Sequence, residues 1–189
     1  WFRGLLKESF KDMKTKELIS ESSLIYSNKQ IGDAISNIAD NCNSTLRGEE
    51  VTILPVMNGA LIFSGQLIPK LNFHCVLDYI HASRYSDNKG QPTINWIYKP
   101  KIDLIKDKVV LVIDDILDEG LTLADIKKNL IEMGAKQVVI AVLFDKKIDK
   151  IKPIKADFFG LEVPDAYVYG FGLDFNGIGR NIPHLYAHK

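Results

Sequence analysis

The sequence predicts an α/β protein built around a parallel sheet. Three observations point there. "KVVLVI" (108–113) and "QVVIAVLF" (137–144) are continuous apolar runs rich in β-branched residues, as expected of strands covered on both faces. Between them, "LTLADIKKNLIEMGA" (121–135) places Leu123, Ile126, Leu130 and Met133 on one helical face, and Gly134 sits where a helix stops. A strand, a helix and a second strand in alternation give a parallel sheet.

The other elements follow in chain order. "SNKQIGDAISNIADNC" predicts a helix over 28–42, with Ile31, Ala34, Ile35, Ile38, Ala39 and Cys42 in one stripe. Ser27 and Gln30 have the spacing of a capping box. "VTILPV" (51–56) is a short apolar strand, and "NGALIFSGQLIPKL" a turn leading into a helix. "FHCVLDYIHASRY" (73–85) reads as one long strand. "SDNKGQPTINW" (86–96) is polar and contains Gly and Pro, which predicts a mobile loop or loose hairpin. Beyond residue 145 the pattern is short strands and turns that could cap the sheet.

With 189 residues the chain is long enough for one domain with a real core. Apolar residues make up 46% and charged residues 25%, an ordinary globular balance. Lys plus Arg (24) equals Asp plus Glu (24), so net charge points to neither a nucleic-acid nor a membrane partner. Cys42 and Cys75 make no metal or redox spacing, and reduced thiols in a cytoplasm fit them better than a disulfide.

The densest chemistry lies in "DDILDEGLT" (114–122), which follows the run "VVLVI". In an open α/β sheet, ligands bind outside the carboxyl ends of the strands. Asp114 and Asp115 fall there. The helix that follows begins with amides that have no intrahelical partner and favour a phosphate. Gly120 permits close backbone approach, and the Thr122 hydroxyl can donate. Carboxylates for sugar hydroxyls or a hard cation, beside amides for a phosphate, together suit a ribose 5-phosphate. A solvated turn capped by Asp118 is the plainer alternative. Asp-Asp-x-x-Asp is also a magnesium-diphosphate motif of all-helical prenyl-transferring enzymes, but this chain is not all-helical.

"VVLVIDDILDEGLTL" resembles the phosphoribosyl pyrophosphate (PRPP) signature of type I phosphoribosyltransferases. "LFDKK … GLEVPDAYVYGFGLDFNGIGR" resembles the purine-salvage branch, the hypoxanthine-guanine phosphoribosyltransferases. The two motifs occur in the family's order, and the likeness runs from about residue 51 to 180. It implies a single domain: a parallel-sheet core over about 28–150, with a small hood from about 151–189 and N-terminal residues. It implies transfer of 5-phosphoribosyl from PRPP to hypoxanthine or guanine, with Mg2+ as cofactor, in a cytoplasmic homodimer or homotetramer.

The resemblance also assigns roles. Asp114 and Asp115 would contact the ribose hydroxyls and magnesium, and Asp118 would accept the purine proton. Glu119, Gly120, Leu121 and Thr122 form the 5-phosphate loop. Asn58 and Gly59 form the pyrophosphate loop, entered by a non-proline cis bond at Met57–Asn58, and Arg180 binds pyrophosphate. Lys146 would read the purine's exocyclic oxygen, Tyr167 would stack on the base, and Val168 would meet it through main chain. Asp174 would stand near the second magnesium. Arg84 and Tyr85 open the mobile loop. Taken without the family, these residues have plainer readings: Lys146 a solvated lysine, Tyr167 strand packing, Asp174 a turn residue, Arg180 a surface charge. Two departures stand out. Asn58 replaces the usual Lys or Arg, and Glu119 the usual Thr or Ser, which predicts that the Glu119 side chain turns outward and its amide faces the ligand. A non-catalytic PRPP- or nucleotide-sensing regulator is the alternative function, and it predicts a basic surface or an added domain.

Overall fold

The computed structural model describes residues 15–86 and 92–188. Its elements run α1 (Thr15–Ser20), β1 (Ser22–Tyr26), α2 (Asn28–Thr45), β2 (Val51–Met57), α3 (Leu61–Leu67), β3 (Cys75–Leu77), β4 (Ile80–Ser86), β5 (Pro92–Tyr98), β6 (Val109–Leu117), α4 (Leu121–Glu132), β7 (Gln137–Lys146), β8 (Phe158–Val163), β9 (Val168–Tyr169) and β10 (Leu185–His188). Among the described residues the main sheet has the order β5-β4-β2-β6-β7-β8, with β3 also on β2. All its pairings are parallel except β4 with β5.

The three predicted helices all form, two of them with the signals their sequences give. In α2, Ser27 and Gln30 make the capping box, and the six predicted stripe residues are the buried ones. In α4, Leu123, Ile126 and Leu130 are buried, and Gly134 follows the end with φ +90. Strand alternation then divides the core. Val51, Ile53, Leu111, Ile113 and Leu143 face α2 and α3 on one side. Leu54, Val110, Val112, Ile140 and Val142 face α4 on the other. Each such side chain contributes about 1.5–3 kcal/mol by leaving water, so both faces of the central strands are fixed.

Some expectations change. The predicted strand over 73–85 is two strands, β3 and β4, both parallel to β2 in one unbroken register (Ile53↔Leu77, Val56↔Ile80). The interruption faces Pro55, which has no N–H to offer a ladder. Asp78 fills it, accepting from the Tyr79 amide at 2.9 Å and from the Tyr98 hydroxyl at 3.1 Å. Of the two alternatives expected for 86–96, a mobile loop or a loose hairpin, the hairpin forms: β5 pairs antiparallel with β4 from His81↔Tyr98 to Ser86↔Pro92. Residues 87–91 lie outside those described. Finally, β6 does not stop at Ile113 but continues through the acidic pair to Leu117.

The hood is a three-stranded antiparallel sheet, β1-β10-β9, which joins Ser22 to His188 and Val168 to Ala187. Its own small core is Leu18, Tyr169, Phe175 and Ile182. His184 Nδ1 accepts from the Asn28 amide at 2.9 Å, which ties the hood to the first residue of α2. Strand β8, in the stretch expected to cap the sheet, is instead an edge of the main sheet beside β7. Cys42 and Cys75 are both free thiols, and burial raises Cys42 to about 12.

Candidate active site

The carboxyl ends of β6 and β7 and the start of α4 enclose a cavity of about 680 Å³. Asp114, Asp115, Asp118, Glu119, Gly120, Leu121, Thr122 and Lys146 line it, so eight of the predicted site residues share one space. Ile148, Asp149, Lys150 and Asp165 line it as well.

The turn into α4 leaves its amides free for a ligand. The helix cap is Gly120, in the left-handed region at φ +79, and it makes no side-chain cap bond. Asp118 is therefore not the cap. The first intrahelical bond runs from the Ala124 amide to the Gly120 carbonyl at 3.0 Å. The amides before it point out of the helix start, where they and the helix dipole favour an anion. The Glu119 carboxylate turns to Lys150 (3.3 Å), with both side chains mostly exposed.

Asp118 and Lys146 meet across the cavity at 3.1 Å. Lys146 is only 13% exposed, whereas Asp118 is 52% exposed, so the carboxylate is open to solvent and the lysine is held behind it. The solvated-lysine reading of Lys146 fails on that burial.

The acidic pair is crowded. Asp115 is 8% exposed. The Asp115 amide donates to Asp114 Oδ1 at 2.9 Å. Burial, and then the negative charge of Asp115, hold Asp114 well above the usual carboxylate range. Burial also raises Asp115, opposed by its hydrogen bonds to Asp114 and Ile116 and by the Arg180 guanidinium. The Arg180 guanidinium offsets part of the charge of Asp115. A divalent cation fits this donor chemistry, since magnesium takes one or two carboxylates together with substrate phosphates and water. Among the described residues no three Asp, Glu, His or Cys converge on one point.

Asn58, Gly59, Tyr167, Val168, Asp174 and Arg180 are not among the residues that line this cavity. The Met57–Asn58 bond is cis. Gly59 lies against the acidic pair: a Cβ there would stand 1.9 Å from Asp115 Oδ2. Gly172 packs in turn on the Gly59 carbonyl, where a Cβ would come within 2.4 Å. Arg180 donates to the Gly172 carbonyl at 2.6 Å and pairs with Asp174. The other Asp174 oxygen accepts from the Gly177 amide at 2.8 Å. Tyr167 is half-exposed and backed by Phe175 at 5.0 Å in a T-shaped contact, while Val168 is buried beside it. Arg84 and Tyr85 lie in β4 by their backbone; their side chains fall outside the described residues.

Sequence reasoning missed Asp145 and Lys152. Lys152 Nζ donates to the Leu117 carbonyl at 2.7 Å and to Asp145 Oδ1 at 2.6 Å. Lys152 belongs to a lysine-rich stretch that reads as a solvated face, so no sequence signal separates it from its neighbours.

A phosphoribosyl transferase domain model matches residues 21–176, and the chain belongs to that family. Its branch is the hypoxanthine-guanine one. The chain is 32% identical over 178 residues to the hypoxanthine-guanine phosphoribosyltransferase of Aquifex aeolicus, covering 93% of this chain and 97% of that one. It is 32% identical to the Bacillus subtilis enzyme of the same name, over 90% of this chain and 91% of the relative. Among solved structures, a hypoxanthine-guanine phosphoribosyltransferase from Bacillus anthracis superposes with a TM-score of 0.79 at 25% identity, covering 87% and 95% of the two chains. The hypoxanthine phosphoribosyltransferase of Trypanosoma cruzi, solved with the product IMP, shares the fold with a TM-score of 0.80 at 22% identity.

Proposed function

We propose that this protein transfers the 5-phosphoribosyl group of PRPP to hypoxanthine or guanine, giving IMP or GMP and pyrophosphate. The observation that carries this is the Asp118–Lys146 pair, 3.1 Å apart and set beside an anion-accepting helix start. Such a pair supports the reading by offering a proton acceptor beside a donor to a keto oxygen.

Each part of the site then has a task. The amides at the start of α4 and the Thr122 hydroxyl hold the 5-phosphate, and the Glu119 carboxylate stays clear of it by pairing with Lys150. Asp114 and Asp115 hold the ribose hydroxyls. Lys146 donates to the purine's exocyclic oxygen, Tyr167 offers a face to the ring, and Val168 contacts it through main chain. A purine nitrogen attacks the anomeric carbon as positive charge builds on the ribose ring. Asp118 takes the imidazole proton. The loop at Asn58 and Gly59, with Arg180, receives the departing pyrophosphate. Asn58 brings no cation, so main-chain amides carry that contact. Magnesium, when bound, supplies positive charge to the leaving group, with Asp114, Asp115 and Asp174 as its candidate ligands.

The same proposal places the enzyme in the cytoplasm, as two free thiols suit. Among the described residues no helix is long and apolar enough to cross a membrane. It also makes the enzyme a homo-oligomer. Leu61, Val76, Leu77, Tyr79 and Ile97 are exposed apolar side chains. Leu61, Leu77 and Tyr79 line a groove of about 490 Å³ with Pro55 and Met57.

An ultraviolet assay of hypoxanthine, guanine and xanthine with PRPP and magnesium tests the activity and ranks the bases. Asp118→Asn should lower kcat by about 10²- to 10⁴-fold, the usual worth of a positioned base, with little change in KM for PRPP. Unchanged turnover would remove Asp118 from its role.

A further inference from the structure

We infer that Lys152 is a positioning residue that clamps together the two strand ends from which Asp118 and Lys146 project. The inference rests on the phosphoribosyl-transfer reading above, and it assigns the base-reading pair a support that neither partner provides.

Five lysines fall between 146 and 155: Lys146, Lys147, Lys150, Lys152 and Lys155. Lys147, Lys150 and Lys155 are exposed. Lys152 is 14% exposed, and its partner Asp145 18%. Taking a long cation out of water is costly unless hydrogen bonds replace the water. Two do, to the Leu117 carbonyl at 2.7 Å and to Asp145 Oδ1 at 2.6 Å, and both are charge-assisted.

The location of these two acceptors gives the clamp its meaning. Leu117 and Asp145 face each other in the last rung of the β6–β7 ladder. The next residue on one strand is Asp118, and on the other Lys146. Lys152 therefore closes the ladder at the point where the reactive side chains leave it. Its own segment also underlies the turn. A Cβ at Gly120 would meet Ile154 Cγ2 at 3.2 Å and Lys152 Cβ at 3.6 Å. Misplacing a reacting group by 1 Å costs about 10²-fold in rate, so a fixed strand end matters here more than the same bond would elsewhere on the surface.

The competing explanation is that Lys152 only neutralises Asp145, which also has Lys147 at 3.5 Å. The two explanations part when both charges are removed. If neutralisation is the whole task, Asp145→Asn should repair Lys152→Met. If the clamp is real, the Leu117 carbonyl still lacks its donor and the repair fails.

The experiment compares the wild type, Lys152→Met, Lys152→Arg and the Lys152→Met/Asp145→Asn double variant. Steady-state kinetics with hypoxanthine and PRPP are read alongside hydrogen exchange of the ligand-free proteins. Lys152→Met should lower kcat/KM for hypoxanthine by about 10- to 100-fold while the KM for PRPP stays near wild type. Exchange should quicken across 117–120. Lys152→Arg should recover most of the loss, and the double variant should not. Wild-type kinetics and exchange in Lys152→Met would overturn the inference. So would full recovery in the double variant, or a fall in kcat alone with both KM values unchanged, which marks lost folded enzyme. Should Lys152→Met fail to fold, Lys152→Gln is read by the same criteria. A wild type that turns over no oxopurine defeats the functional reading instead, and exchange at 117–120 still decides the clamp.

Discussion

Asp114 and Asp115 lie side by side near the end of β6, and burial and the charge of Asp115 make the charge of Asp114 costly. The sign of the consequence follows from the raised Asp114. A carboxyl held above its usual range binds its proton more tightly in the folded state than in the unfolded chain. The folded state therefore loses stability as pH climbs from the ordinary carboxylate range through the raised value. Asp114→Asn removes that loss. In the ligand-free protein it should raise Tm near neutral pH by about 2–4 °C, the shift that about 1 kcal/mol gives at this size. The gain should vanish below about pH 3, where an ordinary Asp is largely protonated. The same variant should weaken PRPP binding. Thermal melts across pH, paired with PRPP titration, check both parts; an equal gain at both pH values would contradict the raised carboxyl. The pair's usefulness to a ligand and its cost to the empty fold have the same origin.

The loop after β2 shows how tightly neighbouring elements are matched. Asp115 occupies the space that any side chain at residue 59 would need. Gly59→Ala should displace that carboxylate and the 58–59 loop together. We expect KM for PRPP to rise at least about tenfold, as displacement of a positioned group does, with α4 and the phosphate turn unaltered; titration with PRPP measures the first and hydrogen exchange at 118–124 the second. Much of the element layout could be read from the chain itself. The α2 and α4 stripes and the buried runs of β2, β6 and β7 are local, periodic signals. The acidic turn is likewise local, and its residues do line one cavity. What could not be read depends on partners distant in sequence. The gap between β3 and β4 is set by Pro55 on another strand. The extension of β6 through Asp114 and Asp115 is set by pairing to β7. Lys152 is invisible among its neighbours because only the fold buries it.

At the scale of the whole molecule, the exposed groove around Leu61, Leu77 and Tyr79 bears on assembly. Leu77 is exposed in the single chain, so Leu77→Glu removes no core contact. It should reduce the solution mass to that of one chain while leaving the far-ultraviolet spectrum unchanged. Sedimentation at several concentrations measures this, and an unaltered oligomer would move the interface elsewhere. The hood carries a different consequence. Its sheet joins Ser22 to His188, so strand β1 emerges from the ribosome long before β10 exists. Until then β1 lacks the strand it pairs with, and Tyr167 and Arg180 are among the late-made residues as well. The nascent chain can assemble its main sheet early, but it becomes competent to hold a nucleotide only once the chain through β10 has been made.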